Sequence, residues 1–184
     1  MVFFVLLTTN AKGQTADSII SNMDNVEVSL LTCGPGNEVY SLFGHTAIRV
    51  CQPSRGMDIV VNYGMFSFRQ NFFVARFILG LTDYMIGITS FSNFVDEYTY
   101  EGRWVYEQVL NLRREEKKAI IAAIDENSKP ENATYRYNCF YNNCTTRARD
   151  ILTENISGKV GYAPETWDAP SFRDMCHSKT ADHR

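Results

Sequence analysis

The chain has no run of like charges, no internal repeat and no low-complexity tract, which sets aside solenoids and charged interaction tails. It also lacks a basic excess. Lys and Arg number 18 against 21 Asp and Glu, for a net charge of −3 and a pI near 5.6, which argues against a nucleic-acid partner. No C-x-x-C pair occurs, so no structural zinc site is expected, and no motif implies a metal or a cofactor. No uninterrupted apolar run reaches the ~20 residues of a membrane span. The aromatic-rich stretch from Phe72 to Phe91 is long enough, but Arg76 and Asp83 interrupt it, and it reads as core. Histidine is scarce: His177 and His183 sit in the C-terminal tail, which leaves His45 alone in the body of the chain.

What is present describes a globular domain. Hydrophobic residues make up 45% and charged residues 21% of 184 residues, the composition and length of one domain able to bury a core. Residues 2–7, Val-Phe-Phe-Val-Leu-Leu, resemble the apolar stretch of a secretory signal, with Ala11 and Gly13 placed for cleavage before Gln14. The basic segment that usually precedes such a stretch is missing, and a buried N-terminal strand is the other reading. The expected division is a signal peptide over 1–13, shortened at its start, and a single domain over 14–184. Five cysteines, Cys33, Cys51, Cys139, Cys144 and Cys176, lie beyond that point; an odd count leaves at least one outside intramolecular pairing. Asn-x-Ser/Thr sequons at Asn132, Asn143 and Asn155 are read as chance occurrences.

Periodicity predicts an α+β order. A short helix is expected over Asp17–Asn25, and strands over Val26–Cys33, His45–Cys51 and Asp58–Tyr63, the last two forming an antiparallel hairpin across the turn at Pro53 to Gly56. A helix over Arg69–Leu79, a strand over Tyr84–Thr89 and a Ser90-capped helix to Tyr100 follow. Next come a strand over Arg103–Leu112 and an amphipathic helix over Arg114–Asn127, with Ile120, Ile121 and Ile124 inward and Lys117 and Lys118 outward. Tyr135–Tyr141 reads as extended, Asn143 as the cap of a helix from Cys144 to about Asn155, and the tail from Gly158 as loop.

Two segments carry chemistry: Ser41-Leu-Phe-Gly-His45-Thr-Ala-Ile-Arg-Val50 and Tyr141-Asn-Asn-Cys144-Thr-Thr-Arg-Ala-Arg-Asp-Ile-Leu152. A cysteine in the first turn of a helix meets free N–H groups and the positive end of the helix dipole, which favour its thiolate. The same N–H groups can hold an oxyanion. A histidine beside a glycine at a strand start can serve as its base, and a third polar residue usually orients the ring. Asn62, on the next strand, is the candidate for that role; Asn143, Thr145 and Ser41 are candidates for the oxyanion site or its support. Each also has a plain structural reading: Cys144 as a small buried hydrophobe, Asn62 as a strand-end hydrogen-bonding residue. Arg147 and Asp150 read as a helix-surface ion pair, and the many Tyr and Phe residues as core that could also line an acyl-chain groove.

The strings Tyr-Ser-Leu-Phe-Gly-His-Thr-Ala-Ile-Arg (40–49), Asn-Tyr-Gly-Met-Phe-Ser-Phe (62–68) and Asn-Cys-Thr-Thr-Arg-Ala-Arg-Asp-Ile-Leu (143–152) resemble the Lnb N-terminal periplasmic domain family, over about Val26 to Arg173. The resemblance implies a circularly permuted papain-like fold of the NlpC and lecithin:retinol acyltransferase type, an antiparallel sheet packed on helices with the histidine strand before the cysteine helix. It implies a periplasmic, membrane-associated lipoprotein N-acyltransferase working through a cysteine acyl-enzyme, with Cys144 as nucleophile, His45 as base and Asn62 as orienting residue. The implied partners are a lipoprotein or phospholipid substrate and a membrane surface. Full-length members carry a membrane-embedded second half, whereas here the sequence after the cysteine motif contains no spanning segment, so the chain is read as lacking that half.

Two rival readings stand beside this one. A cell-wall amidase or cysteine peptidase would need an open polar cleft where an acyltransferase needs an apolar one. A non-catalytic binding domain would show no thiol more reactive than the rest.

Overall fold

A computed structural model describes residues 23, 25–38, 40–66, 82–158, 160–161 and 170–181. The signal segment and the helices expected over Asp17–Asn25 and Arg69–Leu79 lie wholly or almost wholly outside them. The described chain is α+β. Six strands form one antiparallel sheet: β1 (Glu27–Cys33), β2 (His45–Gln52), β3 (Met57–Met65), β4 (Asp83–Ser90), β5 (Val105–Val109) and β6 (Thr134–Arg136), in spatial order β5-β1-β2-β3-β4-β6. Among the described residues there are four α-helices: α1 (Phe91–Tyr100), α2 (Arg114–Ser128), α3 (Cys144–Glu154) and α4 (Phe172–Thr180). None is long and apolar enough to cross a membrane.

The period-two alternation of the strands sorts their side chains onto two faces. Val28, Ile48, Val50, Val61 and Tyr63 pack with Ile120, Ile121 and Ile124 of α2 and with Ala148 and Ile151 of α3. The opposite parity, Leu31, Cys33, Ala47 and Val60, packs under Phe94 and Tyr98 of α1. The sheet is therefore covered on both sides, which is why its central strands are apolar at both parities. Ile120 is fully buried; removing a side chain of that size from water contributes about 1.5–3 kcal/mol.

Helix starts follow their caps. The Ser90 hydroxyl accepts the Asn93 N–H at 3.2 Å, the Asn143 amide oxygen accepts the Thr146 N–H at 2.9 Å, and the Ser171 hydroxyl accepts the Asp174 N–H at 3.2 Å. At α2 the Glu116 carboxylate reaches back to the Arg113 N–H at 2.8 Å.

Three elements differ from the sequence expectation. The strand predicted over Arg103–Leu112 is shorter: the Arg103 N–H leaves the ladder to bond the Tyr98 carbonyl at 2.9 Å, and a Leu112 N–H to Leu110 carbonyl bond turns the chain toward α2. The extended segment Tyr135–Tyr141 stops at Arg136. There the Asn138 side chain accepts the N–H groups of Phe140 and Tyr141, both at 3.0 Å, folding the chain into a turn closed by the Asn138–Asn142 bridge, a conformation asparagine favours. The tail is not all loop, since Ser171 nucleates α4. Lys117, expected outward, instead bends its amine to the Val26 carbonyl at 2.6 Å.

Candidate active site

β2 begins at His45, directly after Gly44, and β1 ends at Cys33 opposite it. Gly44 holds φ +76°, and a Cβ there would stand 2.5 Å from the Cys33 carbonyl oxygen. Only glycine lets the chain enter β2 at this point. By strand parity His45, Ala47 and Asn62 share the face covered by α1, with Ala47 and Asn62 directly paired. Asn62 is 6% exposed, and the His45 Nε2–H donates to its amide oxygen at 3.0 Å. That bond commits Nε2 as the protonated nitrogen and leaves Nδ1 for another partner.

The partner arrives from the other face. α3 packs on β2 and β3, yet its first residue, Cys144, comes close enough to His45 for the imidazole to lower its thiol. The two faces meet here because His45 is the last sheet residue at that end of β2, and because β3 is broken by a register shift between Asn62 and Met65. Within that shift Gly64 holds φ +86°, with a hypothetical Cβ 3.7 Å from the Cys144 Cβ and 3.5 Å from Tyr137. The bare backbone lets the helix start come up past the strand. The Thr145 and Thr46 hydroxyls, 2.9 Å apart, tie α3 to β2 beside the thiol.

The electrostatics follow from these contacts. Burial alone pushes the Cys144 thiol up. The hydrogen bond and positive charge of His45, the Thr46 backbone N–H and the Thr145 hydroxyl outweigh it, bringing the thiol from its usual 9.0 down to about 7. Cys33 moves the other way, pushed by burial up to about 11; burial also raises Cys51 and Cys139. Cys144 is thus set apart from Cys33, Cys51 and Cys139, and it is the one that the histidine lowers. Thr46 and Gly64 carry weight that their residue types do not announce; proximity to His45 and to Asn62 was the only available signal.

Asn143, beyond capping α3, donates its amide N–H to the Cys139 carbonyl at 2.7 Å and so holds the preceding turn. Ser41 lies apart: its buried hydroxyl donates to the Glu38 carbonyl at 2.9 Å and closes the loop before Gly44. Arg147 does not pair with Asp150. Its guanidinium donates to Asn142 at 2.7 Å and lies 4.1 Å over the Tyr135 ring, while Asp150 pairs with Arg149. Among the described residues no cluster of three His, Cys, Asp or Glu side chains could hold a metal.

Next to the thiol runs a row of rings. Tyr137, close enough for the Cys144 charge to raise its hydroxyl after burial has done so, stacks on Tyr84 at 4.0 Å; Tyr84 meets Phe66 at 5.2 Å, and Phe66 meets Tyr40 at 5.6 Å. Tyr84 is buried, Tyr137 half-buried and Tyr40 53% exposed, so the row passes from core to surface. A separate depression lined by Asn25, Pro53 and Lys117 lies beyond the opposite end of β2 and has no part in this cluster.

An α+β domain with a half-buried cysteine at a helix start, its thiol lowered by a strand histidine, is the class that fold and site define. The family model of the Lnb N-terminal periplasmic domain matches residues 17–172, and the chain belongs to that family, whose domain is periplasmic. Neither the curated proteins nor the solved structures provide a match to this chain.

Proposed function

We propose that this domain is a thiol acyltransferase of the cell envelope, acting on lipoprotein or phospholipid acyl groups through a Cys144 thioester. The observation that carries the reading is the grouping of Cys144, His45 and Asn62, in which Asn62 holds the imidazole and the imidazole helps bring the Cys144 thiol down to about 7. The thiolate attacks the ester carbonyl, forming a C–S bond and an oxyanion. The cap of α3 uses the Thr146 N–H, so the N–H groups of Cys144 and Thr145 are the ones left to face that oxyanion. The imidazolium of His45 returns its proton to the departing alcohol. A free amine then attacks the thioester, loses its proton to His45, and leaves as the amide with the thiol restored.

The chain order, histidine strand before cysteine helix, accords with a circularly permuted papain-like arrangement of the NlpC type, which belongs to the same proposal. The aromatic row from Tyr137 to Tyr40 favours an acyl chain over a glycan or a polar peptide, because it offers apolar area and few convergent polar groups.

The test is capture of the acyl-enzyme. The domain is incubated with a phospholipid or a diacylated lipopeptide bearing a labelled acyl chain, and the Cys144 peptide is mapped by mass. Acyl label on Cys144, released by hydroxylamine and absent from Cys144→Ala, is expected. Cleavage of muropeptides with no acyl label from either donor would replace this reading with a cell-wall amidase.

A further inference from the structure

Two cysteines outside the site, Cys139 and Cys176, flank one aromatic contact. The ring of Phe172, the first residue of α4, stacks on Phe140 with centroids 4.1 Å apart and planes 18° apart, and meets Tyr141 edge-on at 5.7 Å. Cys139 immediately precedes Phe140 in the turn. Cys176 is four residues beyond Phe172, on the same side of α4, a spacing that puts Cβ atoms roughly 5–6 Å apart along a helix face. The helix that lays Phe172 on Phe140 therefore carries Cys176 on its side toward this turn. Burial raises the Cys139 thiol, and the nearby Cys176 adds to that rise. Cys139 is exposed and Cys176 half-buried, open to an oxidant, and in this structure both are thiols.

The remaining cysteines lie elsewhere: Cys33 is buried with Tyr98, Cys144 belongs to the site with His45, and Cys51 lies near the far end of β2. The family's domain is periplasmic, a compartment in which disulfides form and persist. We propose that Cys139 and Cys176 form a disulfide in the mature protein, fastening α4 to the turn that leads into the cysteine helix. The chemistry is thiol–disulfide exchange with an exported dithiol–disulfide oxidant. The two cysteine S–H bonds are lost, one S–S bond forms, and the oxidant's disulfide takes up the two electrons and two protons as a dithiol. The bond would bear on the site by one step, since the Cys139 carbonyl accepts the Asn143 amide and Asn143 caps the helix that begins at Cys144.

The experiment uses the full chain, exported to a bacterial periplasm and purified without reductant. It is denatured in excess maleimide and mapped by mass before and after reduction. Of the five cysteines, three should take the label before reduction and all five after it, with one linked peptide pair containing Cys139 and Cys176. The Cys176→Ser variant should label all four of its remaining cysteines and show no linked peptide. Five labels without reduction, or any peptide map that lacks the Cys139–Cys176 link, would overturn the proposal.

Discussion

The His45 Nε2–H donates to the Asn62 amide oxygen at 3.0 Å, so the tautomer and the ring plane are set from the strand beside it, and the second nitrogen is left free of that bond. Asn62→Ala keeps β3 intact, because its backbone pairing with Ala47 is unaffected, but releases the ring. A positioned base contributes about 10²–10⁴ in rate, and loss of its orientation should cost about a hundred-fold in kcat with little change in KM. A variant with kcat within two-fold of the wild type would show that the bond is structural only. Asn62→Gln, which keeps the amide but lengthens the reach, should recover little.

Cys144 should announce itself by its pH profile. With the thiol at about 7, alkylation by iodoacetamide should rise as pH climbs through neutrality and level off where the thiolate is fully formed. An ordinary thiol at 9.0 has only about a hundredth of its population ionised at pH 7. His45→Ala removes the leading downward influences and leaves burial, so the inflection should move up by more than one pH unit. Cys33, held at about 11, should stay unlabelled in the folded protein. Equal labelling rates for Cys144 and Cys33 would sink the assignment.

Much of this cluster was legible in the sequence because its chemistry is local. Asn143 before Cys144 reads as a cap, and Gly44 before His45 as a strand entry. The Pro53–Gly56 turn predicts the hairpin that puts Asn62 beside β2. What was not legible depends on tertiary geometry. Nothing in the spacing says that His45 and Cys144 belong to opposite faces of one sheet and meet only at its end, past the break at Gly64. The turn at Asn138 was hidden by the aromatic, strand-like residues around it, because one side chain bonding two N–H groups overrode propensity. Arg147 shows the same limit: helical spacing pointed to Asp150, but a ring and an amide from the preceding segment claimed it.

Gly44 separates site geometry from general backbone cost. Gly44→Ala meets a positive φ, worth about 1–2 kcal/mol, and a carbonyl oxygen 2.5 Å from the new Cβ. Gly56 also has positive φ, at +62°, but nothing lies within 4 Å of it. Gly56→Ala should lower Tm by roughly 2–8 °C, taking 2–4 °C for each kcal/mol in a chain of this size, and leave activity per folded molecule unchanged. Gly44→Ala should lower Tm further and reduce activity in the folded fraction, since the added methyl must push His45 away from Cys33. Equal melting temperatures and equal activities for the two variants would contradict that placement.

Glu116 ties the chain after α3 to the start of α2, and it should make the domain acid-sensitive. The Ser157 N–H at 2.9 Å, the Arg113 N–H at 2.8 Å and the Ser157 hydroxyl at 2.7 Å all donate to its carboxylate, holding it from the usual 4.5 down to about 2. A carboxyl whose pKa is lower folded than unfolded stabilises the fold fully above the unfolded value and loses that contribution as pH falls through the folded one. The relevant window therefore runs downward from 4.5 to about 2. Glu116→Gln cannot accept these bonds with the same strength and replaces one acceptor oxygen by a donor, so it should melt at a lower temperature than wild type at neutral pH. Below pH 4.5 the wild type should lose stability more steeply than the variant, and the two curves should converge as the carboxylate protonates. Thermal melts followed by circular dichroism at several pH values measure this directly, and parallel curves for wild type and variant would rule out Glu116 as the linked group.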